Sequence, residues 1–482
     1  MDADRPARYV EALQTFVGAP DPVEQNWPLA LFRQVSAEVP AYRALLAERG
    51  ISPDAVRTMA DFRALPIIDK ASYHSRYPLP LLCRHGRLDA NDMIAVSSGS
   101  SGTPTIWPRS PVDELAVTPR FEQVFRDGFA AHERSTLAVV CFPLGTWVGG
   151  LFTLACLRQL TIKGYPITVV APGNNKAEIL RVLPELAPHF DQTVLLGYPP
   201  FVKDVVDTGV AAGIDWLAYA VKLVLAGEVF SEEWRNLMAE RTGMRDPVRD
   251  VASLYGTADA GVLATETPLS VSIRRFLAGR PDLARELFGD SRLPTLAQYD
   301  PASRFFETHE GTLLFTADNG IPLVRYHIAD EGGLVAHAAM LDFCAANGFD
   351  PEDAGPDLPF VFVFGRSLFT VSFFGANVYP ENVTVGLEQP EVSSWVTGKF
   401  VLETVEDADR DRVLRVTVEL APGRTGDATV LAASVRDQLV RLNSEYAHYV
   451  PAERQLPEVR LLPAGDPEYF PVGVKHRYTR GG

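Results

Sequence analysis

The middle of the chain, from about residue 91 to residue 330, alternates short apolar runs with helical patterns, and this alternation restricts the fold more than any other feature. The apolar, β-rich runs are 137–142, 167–171, 193–197, 222–227 and 251–255. The helical patterns between them are 149–160, 176–183, 200–210 and 232–241. Such alternation is typical of parallel strands joined by crossover helices. We therefore predict an α/β core.

The two ends of the chain have different patterns. Residues 1–90 indicate helices joined by turns that contain proline, as at Pro40 and Pro66. A further strand is predicted over 312–317. Residues 366–482 combine a helix over 427–442 with strand-like runs at 400–403, 413–420 and 459–462. We predict a large N-terminal domain over residues 1–365 and a small α+β domain over residues 366–482.

Composition argues against several kinds of protein. The 482 residues include 45 Lys and Arg against 61 Asp and Glu, a net charge of −16 without a basic run, so we expect no nucleic-acid partner. The four cysteines, at 83, 141, 156 and 344, form no C-x-x-C pair, so we expect free thiols and no structural metal. The N-terminus has no apolar signal segment, and we predict a cytoplasmic protein.

One uncharged stretch has the length of a membrane span. Residues 135–157 carry no charge over 23 positions. Pro143, Gly145, Gly149 and Gly150 interrupt this stretch midway. We interpret it as a buried strand followed by a helix, and we expect no membrane partner.

The most distinctive motif is a run of small residues between positions 96 and 104. It consists of Ser97, Ser98, Gly99, Ser100, Ser101, Gly102 and Thr103. Hydroxyl side chains and glycines let a backbone wrap an anion and supply several N–H and O–H donors. A flexible linker has the same composition. The apolar run before it and the Thr-Pro-Thr-Ile-Trp sequence at its end favour an ordered loop.

Together with this loop, a series of motifs resembles the signature of the adenylate-forming enzymes, and most closely that of their phenylacetate–coenzyme A ligase branch. The other motifs lie at 39–43, 65–70, 142–150, 226–233, 255–259, 325–330, 365–380 and 473–477. Each is weak alone, whereas their order and spacing support the resemblance. It implies an α/β fold with a large, multi-layered adenylate-forming N-terminal domain and a small, mobile α+β C-terminal domain.

The resemblance also implies a reaction in which a carboxylate meets the α-phosphate of ATP while pyrophosphate leaves. Positioning and charge neutralisation carry most of such catalysis. Residues 97–103 would bind the β- and γ-phosphates, Asp330 the ribose hydroxyls and Asp259 the Mg²⁺ ion, while Lys475 would bridge the two reacting anions. The implied cofactors are ATP, Mg²⁺ and CoA.

Further site residues follow from the same resemblance. The catalytic residues would be Lys475, Asp259 and Arg366. Besides the loop, the nucleotide would contact Ala226, Gly227, Glu228, Tyr255, Gly256, Thr257, Arg325 and Asp330, with adenine between Tyr255 and residues 226–228. The substrate would contact Phe142, Trp147, Gly149 and Ala258. Core packing is an alternative for Phe142 and Trp147.

Several of these residues have a simpler interpretation when the motifs are ignored. Asp330 precedes Glu331 and two glycines, as an ordinary turn residue would. Lys475 lies seven positions from the end, where a solvated lysine is usual. Tyr255 would suit the end of a buried strand, and Glu228 the N-terminus of a helix.

The sequence departs from the family pattern around the nucleotide. Thr103 stands where the phosphate loop usually has lysine, and Arg109 is a candidate for the missing cation. Ala258 and Asp259 stand where the family has Ser or Thr followed by Glu, so the metal-binding acid is shorter by one methylene. His327 replaces the second arginine of the Arg-Tyr-Arg motif.

The predicted hinge departs as well. Leu368 and Phe369 stand where the family has an Asp pair, at the point where its C-terminal domain rotates between adenylation and thioester formation. Adenylation is therefore better supported by the sequence than transfer to CoA.

We expect an AMP-forming ligase that activates a small, aromatic acid and transfers it to CoA. One alternative is a variant of specialised metabolism that uses a carrier-protein thiol or an amine, or that adenylates nitrite so that an arylamine becomes a diazo group. A second is a nucleotide-binding protein with little catalysis, against which Lys475 argues. A third is an unrelated α/β protein. A homodimer is also expected, since dimers are common in the family.

Overall fold

The computed structural model describes residues 4–17, 26–96, 105–146, 148–227, 229–366, 371–373, 376–406, 412–443, 446–447, 450, 452–471, 476 and 478–479. Their helices are α1 (Asp4–Val17), α2 (Trp27–Glu38), α3 (Pro40–Glu48), α4 (Met59–Arg63), α5 (Leu79–Leu82), α6 (Pro111–Gln123), α7 (Val148–Ile162), α8 (Lys176–Leu186), α9 (Pro199–Ala211), α10 (Glu232–Thr242), α11 (Pro247–Asp250), α12 (Pro268–Ala278), α13 (Pro281–Phe288), α14 (His337–Ala346), α15 (Pro380–Leu387), α16 (Pro390–Ser393) and α17 (Ala428–Leu442).

The strands of the same residues are β1 (Met93–Val96), β2 (Ile106–Arg109), β3 (Thr136–Val140), β4 (Ile167–Val170), β5 (Gln192–Gly197), β6 (Val221–Ala226), β7 (Val251–Thr257), β8 (Gly261–Thr265), β9 (Thr295–Gln298), β10 (Phe305–His309), β11 (Thr312–Ala317), β12 (Leu323–Val335), β13 (Phe360–Arg366), β14 (Val371–Phe373), β15 (Ala376–Val378), β16 (Val396–Glu406), β17 (Arg412–Leu420) and β18 (Glu458–Leu462).

Within the described residues, eleven strands form one sheet in the order β10-β11-β12-β13-β9-β8-β7-β6-β5-β3-β4. Strands β4, β3, β5, β6 and β7 pair in parallel, whereas every pairing from β7 to β10 is antiparallel. Helices α7, α8, α9 and α10 connect the successive parallel strands. The predicted α/β class is therefore confirmed, and each predicted run from 137–142 to 251–255 overlaps one parallel strand.

The parallel strands are mostly apolar because helices cover both faces of this part of the sheet. All five residues of β3 and all six of β5 are buried. Ala138 and Val140 of β3 pack into a core with α6 and α7, whereas Leu137 and Val139 pack on the opposite face with α8 and α9. This double coverage removes the alternation of apolar and polar residues that a half-exposed strand would have.

The antiparallel half of the sheet was mostly not predicted. Its longest strand, β12, has 13 residues and contains the segment 325–330, which was interpreted as a motif and not as a strand. Tyr326 and Ile328 face a core that also holds side chains of α2, α3 and α4. The predicted N-terminal helices therefore exist, and they cover this half of the sheet.

Residues 371–450 supply a separate hydrophobic core. It lies between the three-stranded sheet β16-β17-β18 and the helices α15 and α17. The predicted elements at 400–403, 413–420, 427–442 and 459–462 correspond to β16, β17, α17 and β18. The α+β character of this part is thus confirmed, while the division of the chain at 365/366 stays a prediction.

In the described part of the chain, no helix combines the length and the apolar character that crossing a membrane requires. The uncharged stretch at 135–157 contains β3 and most of the 15-residue helix α7, as expected. All four cysteines are buried free thiols, which confirms that prediction.

Candidate active site

The candidate site lies where the parallel strands end. Residues that follow β3, β5 and β6 meet at the carboxyl edge of the sheet, beside the turn that connects β7 to β8. Ligands of open α/β sheets bind outside this edge. The predicted substrate and nucleotide residues Phe142, Gly149, Gly227 and Tyr255 all belong to these segments.

An aromatic pair lines the part of the edge beside β3 and β5. The rings of Phe142 and Tyr198 are 5.2 Å apart and nearly perpendicular. Phe142 is only 2% exposed and belongs to the core cluster, whereas Tyr198 is half-buried. A Cβ atom at Gly149 would lie 3.8 Å from the ring of Phe142 and 3.9 Å from the hydroxyl of Tyr198, so Gly149 faces both rings. Core packing therefore accounts for Phe142, and Tyr198 is the more accessible ring.

Glycines let the chain pass close to this pair. Gly227 has a φ of 81°, and a Cβ there would approach Tyr198 to 2.7 Å. At Gly150 a Cβ would lie 2.2 Å from the carbonyl oxygen of Pro143, so the first turn of α7 requires glycine at this position. Ala226, which precedes Gly227, is the half-buried last residue of β6.

Tyr255 and Asp330 are directly bonded. The hydroxyl of Tyr255, on β7, donates to Oδ2 of Asp330, on β12, at 2.7 Å. Phe306 stacks on the Tyr255 ring, with centroids 6.4 Å apart and planes 23° from parallel. Asp330 is 5% exposed, and its backbone lies opposite residue 366 in the pairing of β12 with β13. It is thus a buried strand residue and not the turn acid of the simpler interpretation.

Arg325 makes contacts that differ from the predicted ones. Its Nε donates to Glu307 at 3.1 Å, and its Nη1 donates to the carbonyl oxygen of Leu65. The backbone of β12 also pairs with Ile68 through the Arg325 carbonyl and the His327 amide. These contacts attach the N-terminal segment to β12. A contact of Arg325 with a nucleotide stays a prediction.

The end of β7 carries Gly256 and Thr257, and the turn from β7 to β8 carries Ala258 and Asp259. Gly256 is exposed and the other three are half-buried. The hydroxyl of Thr257 accepts a hydrogen bond of 3.2 Å from the amide of Ala260, which closes the turn. The turn therefore presents Asp259 beside the end of β7.

Two basic groups lie near the Asp259 carboxylate. Burial lowers the pKa of Arg109, and the charges of Asp113 and Asp259 oppose that shift. Burial likewise lowers the pKa of His74, whereas a hydrogen bond to Ile106 and the charge of Asp259 act in the opposite direction. Asp259 thus lies within electrostatic reach of the Arg109 guanidinium and the His74 ring.

Arg109 contacts the turn that carries Asp259. Its side chain is 1% exposed, and its Nη2 donates to the carbonyl oxygen of Ala258. The guanidinium is therefore directed toward the turn of Asp259. That Arg109 replaces the missing lysine of the loop stays a prediction.

The residues fit a magnesium ion that arrives with a nucleotide. Mg²⁺ prefers oxygen ligands and is usually held by one or two carboxylates together with phosphate oxygens and water. Asp259 supplies one such carboxylate. Among the residues that the structure describes, no group of three or more His, Cys, Asp or Glu side chains could hold a metal by itself.

Several predicted residues fall outside the described part of the chain. They are Ser97, Ser98, Gly99, Ser100, Ser101, Gly102, Thr103, Trp147, Glu228, Leu368, Phe369 and Lys475. The residues that flank the phosphate loop are described: β1 and β2 pair so that Val96 lies opposite Ile106, and the Val96 amide donates to Thr146 at 2.8 Å. Arg366 is described as the last residue of β13.

The sequence analysis missed Tyr198, Phe306 and Arg304. Tyr198 had a usable signal, since Gly197-Tyr198 ends a predicted strand at the functional edge of the sheet. Phe306 and Arg304 had none, because their contacts with Tyr255 and with the carbonyl of Ala260 join segments more than 40 positions apart.

Comparison with known proteins gave sequence and structural relatives, although no family model matches the chain. A phenylacetate–coenzyme A ligase of Aromatoleum evansii is 21% identical over 397 residues, which cover 81% of this chain and 79% of that protein. A phenylacetate–coenzyme A ligase of Thermus thermophilus is 24% identical over 371 residues, 75% and 74% of the two chains.

The solved structures extend the similarity to the fold. A 2-hydroxyisobutyryl-CoA ligase in the postadenylation state, in complex with R3-HIB-AMP, superposes with a TM-score of 0.66 at 14% identity, covering 94% of this chain and 89% of that one. The same ligase with 2-HIB-AMP and CoA in the thioesterification state gives a TM-score of 0.52, covering 95% and 89%. The predicted fold class is confirmed by these superpositions.

Proposed function

We infer the activity of this chain from the premise that it is a member of the adenylate-forming superfamily, in the phenylacetate–coenzyme A ligase-like branch. We propose that it is an AMP-forming ligase that activates an aromatic carboxylic acid with ATP and transfers the acyl group to the thiol of CoA. The observation that carries the proposal is the hydrogen bond from Tyr255 to Asp330, which fixes an aromatic ring and a carboxylate beside the end of β7.

These two side chains suit a nucleoside. An aromatic face is a platform for a base, and a carboxylate accepts two hydroxyl donors well. In the proposal, adenine lies between Tyr255 and residues 226–228, and Asp330 accepts hydrogen bonds from the ribose. Phe306 supports the ring of Tyr255 from within the protein.

The proposed reaction has two steps. In the first, a carboxylate oxygen of the acid attacks the α-phosphorus, and pyrophosphate leaves with the electron pair of the broken P–O bond. In the second, the CoA thiol releases its proton to solvent and its sulfur attacks the acyl carbon, and AMP leaves with the electron pair of the broken C–O bond. Both reactants of the first step are anions, so neutralisation by Lys475 and by the donors of residues 97–103 lowers its barrier. When bound, Mg²⁺ would neutralise phosphate charge, with Asp259 holding it.

The acid would lie beside the aromatic pair. Tyr198 presents a half-buried ring and Gly149 leaves space next to it, which suits a flat aromatic side chain. Ala258 adds a small side chain at the turn. We further propose that residues 366–482 are the small domain that brings Lys475 to the reaction, and that the protein is a cytoplasmic homodimer.

The second candidate function is an adenylate-forming enzyme that uses an acceptor other than CoA. The apolar residues at the predicted hinge favour it. Leu368 and Phe369 replace the family's Asp pair. If they hinder rotation of the small domain, the adenylate would go to a carrier-protein thiol or an amine, or the activated anion would be nitrite in the presence of an arylamine. Leu368→Asp should then raise the rate of thioester formation and leave adenylation unchanged; an equal or lower thioester rate would contradict this role of the hinge.

A product assay by mass spectrometry tests the proposal. The protein is incubated with ATP and Mg²⁺, in one reaction with aryl acids, short acids and CoA, and in a second with nitrite and arylamines. AMP together with an acyl-CoA mass supports the proposal and identifies the acid. AMP with a diazo mass in the second reaction alone supports the alternative.

Lys475→Ala provides the control for catalysis. The loss of one charge-stabilising contact in a transition state lowers the rate by about 10²–10³. An equal and low AMP yield in the wild type and in Lys475→Ala, with ATP still bound, would instead identify a nucleotide-binding protein.

A further inference from the structure

Two buried arginines contact the turn that carries Asp259. Arg109 is the last residue of β2 and is 1% exposed. Its Nη2 donates to the carbonyl oxygen of Ala258, and its Nη1 donates weakly to that of Pro108 at 3.5 Å. The guanidinium carbon lies 5.9 Å from the centre of the Phe152 ring.

Arg304 approaches the same turn from the segment before β10. It is 3% exposed; its Nη2 donates to the carbonyl oxygen of Ala260 at 3.3 Å, and its Nη1 donates to that of Ser303 at 2.7 Å. In the part of the chain that the structure describes, the Nε atoms of Arg109 and Arg304 have no hydrogen-bond partner. The two carbonyls that the arginines hold therefore flank Asp259 on its two sides.

A buried arginine with a purely structural role has different partners in this protein. Arg235 is 0% exposed and bonds to two carboxylates, with Nε 3.0 Å from Glu232 and Nη2 2.9 Å from Glu266. Despite burial, the charges of Glu266 and Glu232 raise its pKa. A carboxylate is the usual partner, because burying an unpaired charge costs several kcal/mol.

Arg109 and Arg304 have no such individual partners among the described residues. Burial lowers the pKa of both, that of Arg304 to about 10, and the charge of Asp113 opposes the shift in each. Asp113 itself is 4% exposed and accepts a hydrogen bond from the Ser110 amide at 2.6 Å, as part of the cap of α6. The charge of Asp113 thus acts on both cations, together with that of Asp259 on Arg109 and that of Asp318 on Arg304. Both arginines donate to the backbone of the turn.

We propose that Arg109 and Arg304 are positioning residues that fix the backbone on both sides of Asp259 and so aim its carboxylate. Asp259 is one methylene shorter than the glutamate of the resembling family, so its reach depends more on where the backbone lies. The binding of magnesium by Asp259 rests on the proposed function. The fixing of the turn backbone by the two arginines does not.

Amide hydrogen exchange in the ligand-free protein tests directly whether the two arginines fix the backbone of the turn. The variants are Arg109→Met and Arg304→Met, which keep an unbranched apolar chain and remove the donors. We expect amides of residues 255–262 to exchange about tenfold faster in each variant. That ratio corresponds to about 1.4 kcal/mol of lost local stability.

Arg274→Met is the control for the loss of a buried arginine elsewhere in the fold. Arg274 is also 3% exposed and also donates to two carbonyls, those of Pro294 at 2.9 Å and Phe230 at 2.6 Å. It also pairs with Glu232, and none of these three partners lies in the turn. Its loss should leave exchange in 255–262 unchanged relative to the rest of the chain. Equal exchange in this segment for all three variants would overturn the proposal. If Arg109→Met does not fold, Arg109→Lys replaces it and should give a smaller increase.

Binding of Mn²⁺ in the presence of ATP, measured by electron paramagnetic resonance, tests the consequence for Asp259. We expect Arg109→Met to weaken Mn²⁺ binding about tenfold, and to have no further effect when Asp259 is already Asn, since coupled residues are not additive. Unchanged Mn²⁺ binding with faster exchange would overturn the aiming of Asp259. A protein that forms no acyl adenylate would refute the proposed function without changing the exchange result.

Discussion

At the scale of single residues, the first prediction concerns the contribution of Asp330 to ATP binding. Its carboxylate accepts the Tyr255 hydroxyl and is almost fully buried. Asp330→Ala should weaken ATP binding at least tenfold, because hydrogen bonds to a charged group contribute about 1.5–3 kcal/mol. Tyr255→Phe, which keeps the ring and removes only the hydroxyl, should have a smaller effect. Calorimetric titration with ATP measures both, and an unchanged affinity in Asp330→Ala would remove it from the ribose role.

Two neighbouring glycines lead to two predictions, one about the preference for acids and one about stability. An alanine at position 149 would only touch Phe142 and Tyr198, at 3.8 and 3.9 Å, so Gly149→Ala should fold and should favour smaller acids over larger ones. An alanine at position 150 would collide with the Pro143 carbonyl at 2.2 Å, so Gly150→Ala should lower the melting temperature. Relative kcat/KM over a series of acids, with melting curves, checks both. An unaltered preference in Gly149→Ala would place the acid elsewhere.

Sequence motifs could predict site residues only where the residues that form the motif lie close together along the chain. Tyr255 and Asp330 were predicted from short motifs 75 positions apart, and the structure brings them into contact. Arg304 could not be predicted, because an isolated arginine in a loop carries no local signal and its partner, the carbonyl of Ala260, is backbone. Arg109 was noticed for its charge, but its direction depends on how β2 packs under the turn.

At the scale of elements, a buried ion-pair network joins the helices to the sheet. Arg235 on α10 bonds to Glu266 after β8 and donates to the Val251 carbonyl at 2.7 Å. It also pairs with Glu232. Arg235→Met should lower the free energy of unfolding by about 3–5 kcal/mol, because two buried carboxylates lose a partner. Urea unfolding followed by circular dichroism measures the change.

The control for this network is a surface pair of the same chemistry. Arg181 binds Glu178 through two hydrogen bonds, of 2.8 and 2.6 Å, but its side chain is 69% exposed. Arg181→Met should leave the free energy of unfolding nearly unchanged, since exposed pairs contribute little. If the two variants lost similar amounts of unfolding free energy, the Arg235 network would contribute no more to stability than a surface contact does.

The parallel strands could be predicted because burial on both faces makes them apolar runs, as in β3 and β5. Strand β12 could not, because it alternates Tyr326 and Ile328 with the polar residues Arg325 and His327, and its polar residues were interpreted as part of a motif. The pattern of a half-buried strand was present there. Its pairing with Ile68 is long-range and has no local signature.

At the scale of the whole molecule, the sequence did not predict how the C-terminal segment contacts the helices that cover the large sheet. Lys203 on α9 donates to the Val396 carbonyl at 2.8 Å, and Arg241 on α10 donates to the Ser393 carbonyl at 3.2 Å. Both acceptors are backbone atoms, 193 and 152 positions away along the chain. Patterning predicted the small α+β unit itself, since its own core is local to residues 371–450.

The same contact contains a carboxyl group that makes stability depend on pH. Burial raises the pKa of Glu388, at the end of α15, to about 8. Ser231 donates a hydrogen bond to it, the charge of Glu233 raises the pKa further, and the charges of Arg274 and Lys203 lower it. The folded protein therefore keeps this proton at pH values where the unfolded chain has released it.

The direction of the effect follows from that difference. Between about pH 4.5 and pH 8 the folded state binds more protons than the unfolded state, so this group lowers the free energy of unfolding by about 1.4 kcal/mol per pH unit as the pH rises. Glu388→Gln, which cannot ionise, should flatten the pH dependence over this window and be the more stable form at pH 8. Urea unfolding at several pH values measures this, with the exposed Glu391→Gln as control. If both variants keep the wild-type slope, Glu388 is ionised in the folded protein, and the contact between the C-terminal segment and α10 must accommodate a buried charge.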